Sequence, residues 1–219
     1  MGDLRMVIFD CDGVLVDSEP ISNRVLAEAL TAEGLPTTPL QALAEYKGLL
    51  LSDVLARAEA KLGRALPRGW VAAYERARVE AFRRELKPIP GAAATVERVL
   101  AAGLAVCVAS QGKLSKTQLT LTLTGLLDLF PPEARFSAYS VPRGKPHPDL
   151  FLHAASVMEA EPSRCVVVED TPIGVTAAVS AGMRALGFTA DSDEAALRHA
   201  GAEVLFSSLA ELPALLGLN

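Results

Sequence analysis

The chain has 219 residues, 50% of them hydrophobic and 21% charged, and a formal net charge of -5. This is the composition of a folded globular protein, long enough for one large domain or a core with a smaller lobe, and able to bury its core without disulfides or structural metal. The negative balance and the lack of any dense Lys/Arg run exclude a nucleic-acid backbone as partner.

The opening, MGDLRMVIFD, has no long apolar leader-like region, because its short apolar run ends at once in acid. That run, 6–9, predicts a strand. No later stretch reaches about 18 uninterrupted apolar residues, so no membrane span is expected, and a reducing cytoplasm is the expected compartment. From 19 to about 86 no strand pattern occurs, only helical periodicity. Leu51, Leu55, Ala58 and Leu62 share one helix face, and Trp70, Tyr74, Ala77 and Ala81 share another. The stretch KPIPG at 87–91 closes this region with a stiff, non-helical connection. Beyond it, helices are expected at 95–102, 150–158, 173–181 and 194–200. They alternate with apolar runs at 105–108, 165–168, 185–188 and 203–206. Ser208 and Glu211 read as a capping box opening a last helix, 209–216.

Continuous rather than alternating apolarity suits strands buried on both faces. Strands alternating with helices predict an α/β fold with a doubly wound, mostly parallel sheet. The expected organisation is a core of 1–18 and 88–219 with an all-helical lobe, 19–87, inserted after the first strand. Cys11, Cys107 and Cys165 lie in apolar runs without metal-ligand spacing and read as buried small hydrophobes.

In an open parallel sheet, ligands sit beyond the carboxyl ends of the strands, so the polar residues following each apolar run are informative. Asp10 and Asp12 follow the first, Ser110 and Gln111 the second, and Glu169 and Asp170 the run at 165–168; Lys145 stands just before the helix at 150–158. Carboxylates gathered at one crevice repel and raise one another's pKa values. A hard dication such as Mg²⁺ relieves this, since it takes oxygen ligands and keeps some waters for a phosphate. Ser110 and Lys145 are then donors to a phosphoryl group, with helix starts at Pro148 and Pro172 adding backbone N–H groups. His147, His153 and His199 show no metal-ligand spacing, and His147 is expected to point outward.

The stretches DCDGVLVDSE, VASQG, GKPHPDLF and VVEDTPIG, in that order, resemble the motifs of the haloacid dehalogenase superfamily. The resemblance covers nearly the whole chain, and the helical insertion falls where the superfamily's helical cap belongs. It is strongest to the sugar-phosphate and phosphoglycolate phosphatases and to β-phosphoglucomutase. It implies that Asp10 attacks phosphorus and that Asp12 protonates the leaving oxygen and then activates water. It further implies that Asp10, the Asp12 carbonyl and Asp170, assisted by Glu169, hold Mg²⁺, while Ser110 and Lys145 bind the transferring phosphoryl oxygens. The superfamily's dehalogenases lack the second aspartate, so Asp12 favours phosphoryl chemistry.

The expected activity is therefore Mg²⁺-dependent hydrolysis of a small phosphorylated metabolite by a monomer or weak homo-oligomer. Gln111, Lys113 and Lys47 are candidates to contact the rest of the substrate. A mutase of the β-phosphoglucomutase type would share the same core motifs. However, the mutase's K-G-x-x-R segment reads KGLLL at 47–51, and Ser22 or Asn23 stands where its His would fall. A receiver-like phospho-acceptor module and a non-catalytic binding protein fit the residues less well. The first is about half this length and lacks both the second Asp and the inserted lobe; the second would have lost catalytic residues that are all present here.

Overall fold

The computed structural model describes residues 4–190 and 192–218. It divides into two compact units, one taking in the chain up to Val16 and from Pro88 onward, the other Asp17–Lys87.

The larger unit is built on a six-stranded parallel sheet. Its strands are β1 (Met6–Phe9), β2 (Ala105–Ser110), β3 (Arg135–Ser137), β4 (Cys165–Glu169), β5 (Arg184–Phe188) and β6 (Val204–Phe206). Their order is β3-β2-β1-β4-β5-β6, so successive strands run outward on opposite sides of β1. The doubly wound parallel arrangement expected from the apolar runs is observed. Every residue of β1 and β4 is buried, because helices cover both faces and a continuous run of Val, Ile and Phe has no solvent side to alternate with. In register, Phe9 is level with Val108 on one side and Val168 on the other. One step further, Asp10 is therefore level with Ala109 and Glu169, where the strand order reverses and an open α/β sheet has its crevice.

Three elements differ from expectation. The edge strand β3 has three residues, too few to give a periodic signal. The helix Leu114–Leu123 is also unanticipated, because its sequence LSKTQLTLTL carries three threonines whose β-branched side chains lower helix propensity. The last predicted helix is a 3₁₀ turn, Leu209–Glu211, running into a short helix at Leu212–Leu215, with the Ser208/Glu211 capping box in place.

The smaller unit holds α1 (Glu19–Ala32), α2 (Pro39–Tyr46), α3 (Leu51–Leu62) and α4 (Trp70–Glu85), and α5 (Ala92–Ala101) and α6 (Leu114–Leu123) follow in the larger one. Thr38 and Gln41 form a capping box at the start of α2, and Gly63, in the left-handed region with φ 66°, stops α3. Trp70 and Tyr74 stack with ring centroids 5.5 Å apart and are buried with Ile21, Leu30, Tyr46 and Phe82. Ala58 and Ala81 join this core, but Ala77 faces solvent, so the expected second stripe is narrower than its periodicity suggests.

All three cysteines are buried and free. Burial pushes the Cys11 and Cys107 thiols far above their ordinary range, and burial followed by nearby Glu161 pushes Cys165 up to about 11. The thiolate is the reactive form, so native protein near neutral pH is expected to show no fast-reacting thiol in an Ellman titration. All three thiols should appear once the chain is denatured.

Candidate active site

The carboxyl end of β1 delivers Asp10, whose amide donates to Val168 O at 2.9 Å. Lys145 reaches it from the loop before α7 (Asp149–Val157). Its ammonium donates to Asp10 Oδ1 at 2.5 Å, Glu169 Oε1 at 2.6 Å and Ala109 O at 2.9 Å, which uses all three of its protons. The Lys145 backbone is held by Gln111, whose side-chain amide accepts from Lys145 N at 3.0 Å and donates to Lys145 O at 3.1 Å. Glu169 is fixed at its other oxygen by Thr171 N at 3.1 Å and Thr171 Oγ1 at 2.8 Å. Thr171 also caps α8 (Pro172–Ser180) by accepting from Gly174 N. A Cβ on Gly174 would overlap the Glu169 carboxylate, so glycine is required where this acid packs against the helix.

The Asp12 side chain has a different set of partners. Lys116 Nζ lies 2.5 Å from Asp12 Oδ1, and Ser110 Oγ lies 3.3 Å from Oδ2. Gly13, between Asp12 and the turn back to Val16, has φ 78°, and a Cβ there would collide with the Asp170 carboxylate. Asp170 is thereby packed against the β1 loop.

These contacts set the electrostatics. Burial, and then the neighbouring carboxylates Glu169, Asp170 and Asp12, push the Asp10 carboxyl above its usual range, while Lys145 pulls it down. Burial works against the Lys145 cation, but Asp10 and Glu169 outweigh it and hold the ammonium above its ordinary value. Four carboxylates, Asp10, Asp12, Glu169 and Asp170, thus crowd together, with the ammonium of Lys145 bonded to Asp10 and Glu169 and that of Lys116 to Asp12.

A family model, haloacid dehalogenase-like hydrolase, matches residues 4–182. The chain belongs to that family. Among its curated relatives, 6-phosphogluconate phosphatase of Escherichia coli K12 is 32% identical over 216 residues, covering 98% of this chain and 96% of the relative. Hexitol phosphatase B of the same organism is 33% identical over 209 residues, covering 94% and 93%. Among solved structures, a haloacid dehalogenase family hydrolase from Deinococcus radiodurans R1 with bound phosphate and sodium has a TM-score of 0.81 and 31% identity. The match covers 99% of this chain and 96% of that one. The phosphoric monoester hydrolase expected from the motifs agrees with the family and with these relatives. No helix among the described residues is long and apolar enough to cross a membrane.

Within this haloacid dehalogenase-like hydrolase, Asp10, Asp12, Ser110, Lys145, Glu169 and Asp170 lie close together, and their contacts differ. The carboxylate oxygens of Glu169 are taken by Lys145 and Thr171, and those of Asp12 by Lys116 and Ser110. Consistent with this, no three His, Cys, Asp or Glu side chains among the described residues form a metal-holding group. Gln111 bonds through its side-chain amide to the backbone of Lys145. Lys113 is exposed, His147 points outward, and Lys47 ends α2 in the helical unit. Lys116 is the residue that sequence reasoning missed. Its signal was the i, i+6 spacing from Ser110, which is meaningful only once the helix at Leu114–Leu123 is known.

Proposed function

We propose that this hydrolase cleaves phosphomonoesters of small sugars or polyols in two steps, with the phosphoryl group carried on Asp10. The observation that supports it most directly is the division of the site between two carboxylates two residues apart. Asp10 is paired with the buried Lys145, and Asp12 is held by different partners, Lys116 and Ser110. One group is thus available to bond to phosphorus while the other handles protons. In the first step Asp10 attacks phosphorus, and the departing alcohol oxygen takes a proton from Asp12. In the second, Asp12 accepts a proton from the water that displaces Asp10. Lys145 and Ser110 supply donors for charge that develops on the phosphoryl oxygens; Lys145 would have to exchange one of its present acceptors to do so.

The donor set fits Mg²⁺, which we read as the cofactor. The cluster is rich in carboxylate oxygen, its acids raise the Asp10 carboxyl by their proximity, and Gly13 leaves room for the Asp170 carboxylate beside the β1 loop. Asp10, Asp170 and the Asp12 backbone carbonyl would hold the ion, with Glu169 supporting them through Lys145. When bound, the ion would neutralise charge on the nucleophile and the phosphoryl oxygens.

The substrate class rests on the relatives, which are named for phosphorylated sugar acids and hexitols. The helical unit Asp17–Lys87, including Lys47, is read as the family's cap, where differences in ester preference arise, and the enzyme is read as working in a reducing cytoplasm. A screen of phosphorylated metabolites, scored by kcat/KM with and without a chelator, tests this. The expected result is hydrolysis of sugar or polyol monoesters that stops on chelation and returns with Mg²⁺. Turnover of none of them, or turnover indifferent to chelation, counts against the reading.

A further inference from the structure

Lys116 sits in the first turn of α6 (Leu114–Leu123), outside the motif residues, yet its ammonium lies 2.5 Å from Asp12 Oδ1. Its stem reaches Asp12 by passing over Gly112, where a Cβ would come within 3.1 Å of Lys116 Cδ and 3.3 Å of Ser110 Oγ. Both partners are mostly removed from solvent, with side-chain exposures of 17% for Lys116 and 16% for Asp12. An exposed ion pair of this kind contributes little; one screened from water fixes geometry much more firmly.

The two oxygens of Asp12 are held unequally. Oδ1 has a short, charge-assisted bond to Lys116 at 2.5 Å, whereas the contact of Oδ2 with Ser110 Oγ is long, at 3.3 Å, and that hydroxyl also accepts from Gly112 N at 3.0 Å. Oδ2 is therefore the oxygen that can be released when Ser110 turns toward a phosphoryl group.

We propose that Lys116 is a positioning residue that keeps hold of Asp12 Oδ1 and so presents Oδ2 to the leaving oxygen of the ester. This rests on the two-step phosphatase reading above. In the first step an Asp10 oxygen bonds to phosphorus and the P–O bond to the alcohol breaks. The electron pair leaves with that oxygen, which takes the proton from Asp12 Oδ2. In the second, water bonds to phosphorus, its proton goes to Oδ2, and the bond from phosphorus to Asp10 breaks. Lys116 donates to Oδ1 throughout and transfers no proton.

The test compares two esters. An alkyl phosphomonoester needs its leaving oxygen protonated, whereas p-nitrophenyl phosphate leaves as a stable phenolate and does not. Positioned proton transfer contributes about 10²–10⁴-fold. Lys116→Met keeps the stem over Gly112 and removes the cation. It is expected to lower kcat/KM for the alkyl ester by about 100-fold and for p-nitrophenyl phosphate by less than about 5-fold. Lys116→Arg, which restores a cation, should recover most of the alkyl-ester activity. An equal loss with both esters, no loss with either, or no recovery with Arg overturns the assignment. If the unsubstituted enzyme hydrolyses neither ester, the phosphatase reading itself falls, an outcome visible before any variant is made.

Discussion

Asp10→Asn is expected to lower turnover at least a thousandfold while leaving the fold intact, because the substitution removes the nucleophile but almost none of the structure around it. The amide has the same shape as the carboxylate, its oxygen still accepts from Lys145, and the backbone bond from residue 10 to Val168 O is unaffected. It also removes one of four crowded acids. Burial and the neighbours Glu169, Asp170 and Asp12 already push the Asp10 carboxyl up, so a neutral group there relieves repulsion and should not lower stability. Steady-state assays together with urea denaturation read both halves of the expectation. Activity above a few per cent in a folded variant would remove Asp10 from the reaction.

Lys145→Met should affect both activity and stability. The ammonium is almost completely buried and serves Asp10, Glu169 and Ala109 O at once. Removing it leaves two buried carboxylates without their cation, and breaking a buried ionic group from one side costs about 3–5 kcal/mol. Losing one preorganised donor of this kind lowers turnover by about 10²–10³-fold. The sign of the pH dependence follows from the pairing. The folded state holds the Lys145 ammonium above its ordinary value, so its stabilising contribution is complete below the unfolded value of about 10.4 and is lost only as pH rises through the higher folded one. In the Met variant the cause that lowers the Asp10 carboxyl is gone. The folded state then binds protons more readily than the unfolded chain, and the variant should become more stable as pH falls. Adding Glu169→Gln should restore part of the stability of Lys145→Met and none of its activity, because it removes one stranded charge without replacing the donor. Denaturation midpoints across pH, alongside kcat, check this. A Met variant of unchanged stability would mean that the buried cluster does not hold this part of the molecule together.

Much of this site was legible because parallel-sheet topology turns sequence order into spatial proximity. Once the runs at Met6, Ala105 and Cys165 are read as neighbouring buried strands, Asp10, Ser110 and Glu169 must emerge at the same end. What was not legible depends on side-chain direction. Glu169 and Asp170 are adjacent in sequence and chemically alike, but one points into Lys145 and Thr171 while the other lies against Gly13. No pattern of residue types separates those two outcomes. Gln111 is a candidate for the substrate because it follows Ser110, and its bonds to the backbone of Lys145 have no counterpart in the sequence pattern. Lys116 stayed hidden behind a threonine-rich helix whose local propensity is weak and whose stability comes from packing, through buried Thr117, Thr120 and Leu121.

The most direct test asks where the phosphoryl group rests between the two steps. A saturating phosphomonoester substrate is mixed with enzyme and Mg²⁺, quenched in acid within milliseconds, digested and analysed by mass spectrometry. The expected result is a phosphoryl group on the peptide carrying Asp10, lost within the turnover time if the quench is delayed and absent in Asp10→Asn. A phosphoryl group on Ser110 or any other residue, or full turnover with no phosphoenzyme at any delay, would contradict the assignment of Asp10 as the nucleophile.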